Sequence, residues 1–130
     1  MDKGEQKSAK RLFRGFAPSK NPPPSPFRAM WLIVLFDLPV GSREERRDAT
    51  RFRNMLLDEG FTRKQFSVYQ RYFENRAKAD SAADRIGGRT PPMGNVSTVF
   101  LTDKQIGLIR NYSGGAPAER DEKPGQLALF

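Results

Sequence analysis

Trp31-Leu32-Ile33-Val34-Leu35-Phe36 is an uninterrupted apolar run closed by Asp37-Leu38-Pro39. Its β-branched and aromatic content and the proline stop predict a strand. The run does not alternate, which predicts burial on both faces and a central place in a sheet. Ser42-Arg43-Glu44-Glu45 then forms a capping box, Ser at the N-cap with Glu three residues on. The helix it opens is predicted to run to about Asp58, with Ala49, Phe52, Met55 and Leu56 on one face and Gly60 as its stop. Phe61 to Phe73 has strand character, with Phe66, Val68 and Tyr72 sharing a face by alternation. Residues 75–86 read as a weaker helix with Ala79, Ala83 and Ile86 inward and Gly87-Gly88 ending it. A loop from Arg89 to Gly94 follows, then a strand from Val96 to Thr102 and a short last strand within Gln105 to Tyr112. If Phe61–Phe73 holds two strands joined near Lys64–Gln65, the order is βαββαβ. That is an α+β chain with a ferredoxin-like sandwich and an extra C-terminal strand. Two helices on one sheet face leave the other bare, yet the first strand demands burial there. In a chain this short, a second copy related by a two-fold axis supplies that cover.

The flanks read differently. Residues 1–29 carry five of the ten prolines, which forbid a helix, so a disordered or extended basic leader is expected. From Ser113 the Gly, Pro and charge content returns to a flexible tail, 113–130, ending in the apolar Gln126-Leu127-Ala128-Leu129-Phe130. The ordered domain is thus expected over 30–112. No apolar stretch approaches the roughly 20 residues that cross a bilayer, and the basic start does not resemble a secretory signal, so a cytoplasmic protein is expected.

The chain has 23 Lys+Arg against 15 Asp+Glu, net +8. Such a balance points to a polyanionic partner, usually nucleic acid. The leader holds seven basic and two acidic residues of these, leaving the other 101 residues only mildly basic. There is no cysteine and no histidine. Disulfides, zinc ribbons, thiol nucleophiles and imidazole bases are therefore excluded. Catalysis would have to run on carboxylates, hydroxyls, Lys or Arg, with a hard cation held through oxygen.

Asp37 is the candidate for that role. It ends the central strand, where a rigid element delivers a side chain to the sheet edge. A carboxylate there suits Mg²⁺, and the metal suits phosphodiester cleavage. The competing reading makes Asp37 the cap of an Asx turn before Leu38-Pro39. One carboxylate per chain is a thin metal site, so a two-fold axis would have to bring two copies of Asp37 together. On the first helix Arg43, Arg47 and Arg51 recur every four residues, flanked by Arg46 and Arg53. Like charges at that spacing repel, which a phosphate backbone would relieve. Local pairing of Glu44 with Arg47 and Asp48 with Arg51 is the alternative. Arg63, Lys64, Arg71, Arg76, Lys78, Arg85 and Arg89 add positive charge to the second half. The aromatic strand signature of an RNA-recognition module is absent.

Trp31–Pro39, Leu56-Leu57-Asp58-Glu59-Gly60-Phe61, Gln65-Phe66-Ser67-Val68-Tyr69 and Val99-Phe100-Leu101-Thr102-Asp103-Lys104-Gln105, in this order, resemble the family of CRISPR-associated protein two. The likeness covers about Met30 to Tyr112 and is nearest to the form found in type II loci, which shares the Gln-Leu-x-x-Phe-like end. The resemblance implies a ferredoxin-like homodimer that bridges dimers of the integrase, CRISPR-associated protein one, and holds a double-stranded DNA fragment during spacer acquisition. It also implies a Mg²⁺-dependent endonuclease acting on RNA or DNA, with Asp37 as catalytic metal ligand. In many members the nuclease activity is dispensable for adaptation, so scaffold and enzyme are separate expectations. The tail pentapeptide is also similar to segments that dock in the bacterial sliding clamp. Docking on the integrase or on the chain's own dimer is the preferred role for it.

Overall fold

The computed structural model describes residues 28–119. Nearly all of the leader, and the Gln126–Phe130 end, lie outside the described residues. Strand β1 spans Met30–Asp37, helix α1 Arg43–Asp58, β2 Thr62–Gln65, β3 Val68–Phe73, α2 Arg76–Gly87 and β4 Asn95–Leu101. A short helix α3, Asp103–Gly107, follows, and then two-residue strands β5 at Tyr112–Ser113 and β6 at Ala116–Pro117. The main sheet has the order β2-β3-β1-β4 with every neighbouring pair antiparallel. This is the ferredoxin-like arrangement, in which β3 inserts between the strands joined by α1.

β1 is central because its two faces meet two different covers. Leu32, Val34 and Phe36 point to the helices and join Ala49, Phe52, Met55 and Leu56 of α1 and Ala79, Ala82 and Ile86 of α2 in one core. The four α1 residues are those the periodicity predicts. In α2 the expected Ala79 and Ile86 are buried, but the third fully buried position is Ala82, and the expected Ala83 packs only partly against the core. Ser42 and Glu45 make the predicted box: Ser42 Oγ accepts from Glu45 N at 3.0 Å, and Ser42 N donates to Glu45 Oε1 at 2.9 Å. After the C-cap Glu59, Gly60 takes φ +88°, a conformation natural to glycine, and sends Phe61 into the core.

On the opposite face Trp31 and Ile33 meet Ile106 of α3, with Val68, Tyr72, Leu101 and Ile109 around them. Trp31 Nε1 donates to Asp103 Oδ1 at 2.8 Å, tying α3 to the sheet. Part of the burial assigned to a second copy is therefore supplied by this chain itself. Beyond α3 the face stays open, with Leu35 38% and Val99 40% exposed. The segment from Gln105 is thus a helix where a strand was expected. Its start is encoded by a second capping box, Thr102 with Gln105. The extra C-terminal strands come later and form their own ribbon, β5 with β6. The join between β2 and β3 falls at Phe66-Ser67, two residues past the expected place, so Phe66 sits at a turn while Val68 and Tyr72 keep the shared face.

Candidate nucleic-acid interface

Asp37 is the last residue of β1 and stands opposite Asn95 of β4 in the register. Three connections converge beside it. Phe36 N donates to the Ser67 carbonyl at 3.1 Å, which brings the β2–β3 turn alongside. Leu38 folds back into the core, and Gly94 lies so close that an added Cβ would meet Leu38 Cδ2 at 2.6 Å. The carboxylate of Asp37 is exposed and makes no hydrogen bond or ion pair among the described residues. An Asx turn is therefore not its role. Among the described residues no group of three acidic side chains gathers to hold a metal ion. Asp37 thus fits Mg²⁺ as one oxygen ligand, and a single chain does not complete a site.

The arginines of α1 have a different setting. Arg43, Arg46, Arg47 and Arg51 line a groove of about 910 Å³, joined from the second half by Arg85 of α2 and by Arg89 just beyond it. Neither Glu44–Arg47 nor Asp48–Arg51 pairs, so the local explanation of the stripe fails. Arg46 Nη1 donates to the Val40 carbonyl at 3.2 Å, fixing it at the helix start. At the far end Arg85 grips Glu59, with Nε to Oε2 at 2.9 Å and Nη2 to Oε1 at 3.3 Å. The Arg85 hydrogen bonds hold the Glu59 carboxyl below its ordinary value of 4.5, and Glu59 in turn raises Arg85. Glu59 thereby pairs with one of the six guanidiniums, and its charge also acts through space on Arg89. The others face the groove with no carboxylate in salt-bridge range, a surface suited to a run of phosphates.

The remaining basic residues named from the sequence are dispersed. Arg71 donates to the Glu59 carbonyl and lies over Phe73, where it closes the end of α1. Arg76 stacks 3.9 Å over Phe100 and pairs with Asp80 at 3.3 Å. Lys64 Nζ bonds Asn111 Oδ1 at 2.8 Å. The convergence of Arg85 and Arg89 on the α1 stripe had no local signal, because it depends on how α2 packs beside α1. No helix among the described residues is long and apolar enough to cross a membrane.

Comparison with known proteins agrees with this architecture. Residues 30–108 match the family described as CRISPR associated protein Cas2. The chain is 40% identical over 104 residues to a CRISPR-associated endoribonuclease Cas2 of Flavobacterium psychrophilum, covering 80% of this chain and 90% of that protein. It is 39% identical to proteins of the same name from Paracidovorax avenae, covering 80% of this chain and 96% of the relative, and Parvibaculum lavamentivorans, covering 78% and 100%. The matched span runs from the first residue of β1 through the sheet and its two packed helices to the end of α3, and on that ground the chain belongs to the CRISPR associated protein Cas2 family.

Proposed function

We propose that this chain is a homodimeric scaffold of CRISPR adaptation. It binds double-stranded DNA along its backbone and joins dimers of the integrase, CRISPR-associated protein one. The observation that carries the DNA-binding part is the groove of six arginines, five of which make no salt bridge among the described residues. Guanidiniums on a helix face engage phosphate oxygens without reading bases, so binding is sequence-tolerant and weakens with salt. The open part of the second sheet face, around Leu35 and Val99, is the surface left for the second copy. Sedimentation of the purified chain with and without blunt duplex DNA, repeated across salt concentrations, tests this. A dimer whose duplex affinity falls steeply with salt is expected; a monomer, or salt-insensitive binding, refutes the reading.

A second reading, Mg²⁺-dependent cleavage of RNA, is favoured by the exposed and unpartnered carboxylate of Asp37. A two-fold axis that brought two copies of Asp37 together would give a cation two carboxylates. Bound there, Mg²⁺ supplies charge neutralisation at the phosphodiester. The chain's own part is to hold the strand, with groove arginines on its phosphates and Asp37 fixed by the end of β1. Wild type and Asp37→Asn are compared on short RNA and duplex DNA, with Mg²⁺ and with EDTA, alongside binding. Cleavage by wild type, lost in EDTA and in a variant that still binds, supports the enzyme. If neither cuts while both bind as dimers, the scaffold stands alone.

A further inference from the structure

Between α1 and the loop that leads from α2 to β4 lies a cleft of about 510 Å³, a size at which clefts hold ligands. Its floor is apolar, with the buried Phe52 and Met55 of α1 beside Pro91 and Pro92 of the loop. Asp48, Arg51 and Arg89 stand on its walls, and the two arginines are exposed. Neither arginine makes a salt bridge among the described residues. The loop carries the apolar surface further out. Gly94 N donates to the Pro91 carbonyl at 3.0 Å and closes a turn, at whose third position Met93 takes φ +64° and is 87% exposed. That conformation is natural to glycine and strains a methionine. An apolar cleft whose loop goes on to an exposed, strained methionine is a surface left for an occupant. The cleft also opens onto the arginine groove, because Arg51, Met55 and Arg89 line both.

Its occupant has to bring apolar side chains for the floor and carboxylates for the guanidiniums. The chain itself carries such a segment beyond its described residues. Asp121-Glu122 is followed by Lys123-Pro124-Gly125 and then by Gln126-Leu127-Ala128-Leu129-Phe130. Pro-Gly is a turn signal, which allows the acids and the apolar residues to meet neighbouring surfaces. The eleven residues from Arg120 to Phe130 can extend about 36 Å, more than the roughly 24 Å length of α1. A tethered segment meets its cleft at an effective concentration of about a millimolar, so a few apolar contacts suffice to hold it. We infer that the chain's own tail docks in this cleft. Extended there, Leu127 and Leu129 project to one side and cover Phe52 and Met55, while Asp121 and Glu122 face the groove arginines. Resting on the DNA reading of that groove, the docked tail sets carboxylates where a duplex would set phosphates, at Arg51 and Arg89. Tail and duplex then exclude each other, and the tail is a brake on DNA binding.

The chain has no cysteine, so a disulfide in the full chain reports only an introduced pair. Ala128→Cys is combined either with Thr90→Cys, at the exposed edge of the cleft, or with Leu108→Cys, which is 70% exposed just beyond α3. Leu108 is nearer to the tail along the chain, so a tail that does not dock favours it. Disulfide formation within one chain is expected at position 90, at least about tenfold faster than at position 108. Pro92→Cys, also exposed, takes the place of Thr90→Cys should that variant unfold. Equal rates, or a faster reaction at 108, overturn the inference. A disulfide between two chains, seen as a band of twice the mass, gives the cleft to another copy's tail and overturns it too. In the second arm Leu127→Ser and Leu129→Ser together are expected to raise the affinity for a labelled blunt duplex about tenfold, as for a groove otherwise open in one molecule of ten. Unchanged affinity overturns the inference. If neither form binds the duplex while the disulfide at 90 still forms within the chain, the DNA reading falls and the docking of the tail stands.

Discussion

Replacing Arg47 and Arg51 together by alanine tests the groove at its centre. Both side chains lie one helical turn apart on α1, are exposed, and have no carboxylate in salt-bridge range. Alanine is the better helix former, and removing two like charges relieves repulsion, so stability should hold within about 0.5 kcal/mol. Binding should change far more. Arg43, Arg46, Arg47, Arg51 and Arg89 are the groove guanidiniums not paired to a carboxylate. If each neutralises one phosphate, log affinity falls against log salt with a slope of about −4.5 per chain, roughly a 500-fold loss between 50 and 200 mM. The double variant keeps three such contacts, so its slope drops to about −2.7 and the same salt step costs only about 40-fold. Two grooves of a dimer on one duplex would double both slopes and leave their ratio unchanged. Anisotropy of a labelled blunt duplex over a series of salt concentrations reads the slope directly. An unchanged slope in a variant that melts like wild type refutes the assignment of this groove to the DNA backbone.

Three further outcomes follow from the packing and the charges. Ile106→Ala empties a buried position against Trp31 and Ile33, and should cost about 2–4 kcal/mol. Urea unfolding followed by the emission of Trp31, the sole tryptophan, measures it, and a loss under about 1 kcal/mol contradicts the docking of α3. Gly94→Ala places a Cβ 2.6 Å from Leu38 Cδ2 and 3.2 Å from the Pro91 carbonyl oxygen, and should destabilise by about 1–3 kcal/mol, read as a lower thermal midpoint. Glu59 has a carboxyl lowered in the folded state by Arg85, so the stability it adds is complete above its ordinary value of 4.5 and is lost as pH falls through the lowered one. Arg85→Gln should flatten that part of the acid unfolding curve, and an identical curve in the variant refutes the linkage.

The two capping boxes show how far local chemistry carries. Ser42 with Glu45 was legible and placed the start of α1 correctly. Thr102 with Gln105 has the same spacing, but Ile106, Leu108 and Ile109 just beyond drew the segment toward a strand. A box satisfies orphan N–H groups by contact over three residues, so it outranks a short apolar run of ambiguous period. The Phe61–Phe73 segment erred for another reason. The register of β3 is fixed by its pairing with β1, Leu35 opposite Val68, and that pairing puts the turn at Phe66-Ser67. No residue inside the hairpin announces it.

The sequence alone determined β1 with Asp37 at its end, the length and buried face of α1, and the order of elements that makes the sandwich. These rest on periodicity, caps and breakers, whose forces act within a few residues. The tertiary structure decided which distant groups meet. Packing α2 beside α1 carried Arg85 and Arg89 to the arginine stripe, and the sheet order set the Phe66 turn against Arg53 and next to Asp37. Folding α3 back over Trp31 covered part of a face that the apolar run could only mark as buried. An apolar side chain records its need for a cover, and the cover itself is chosen by long-range packing, which depends on the whole chain.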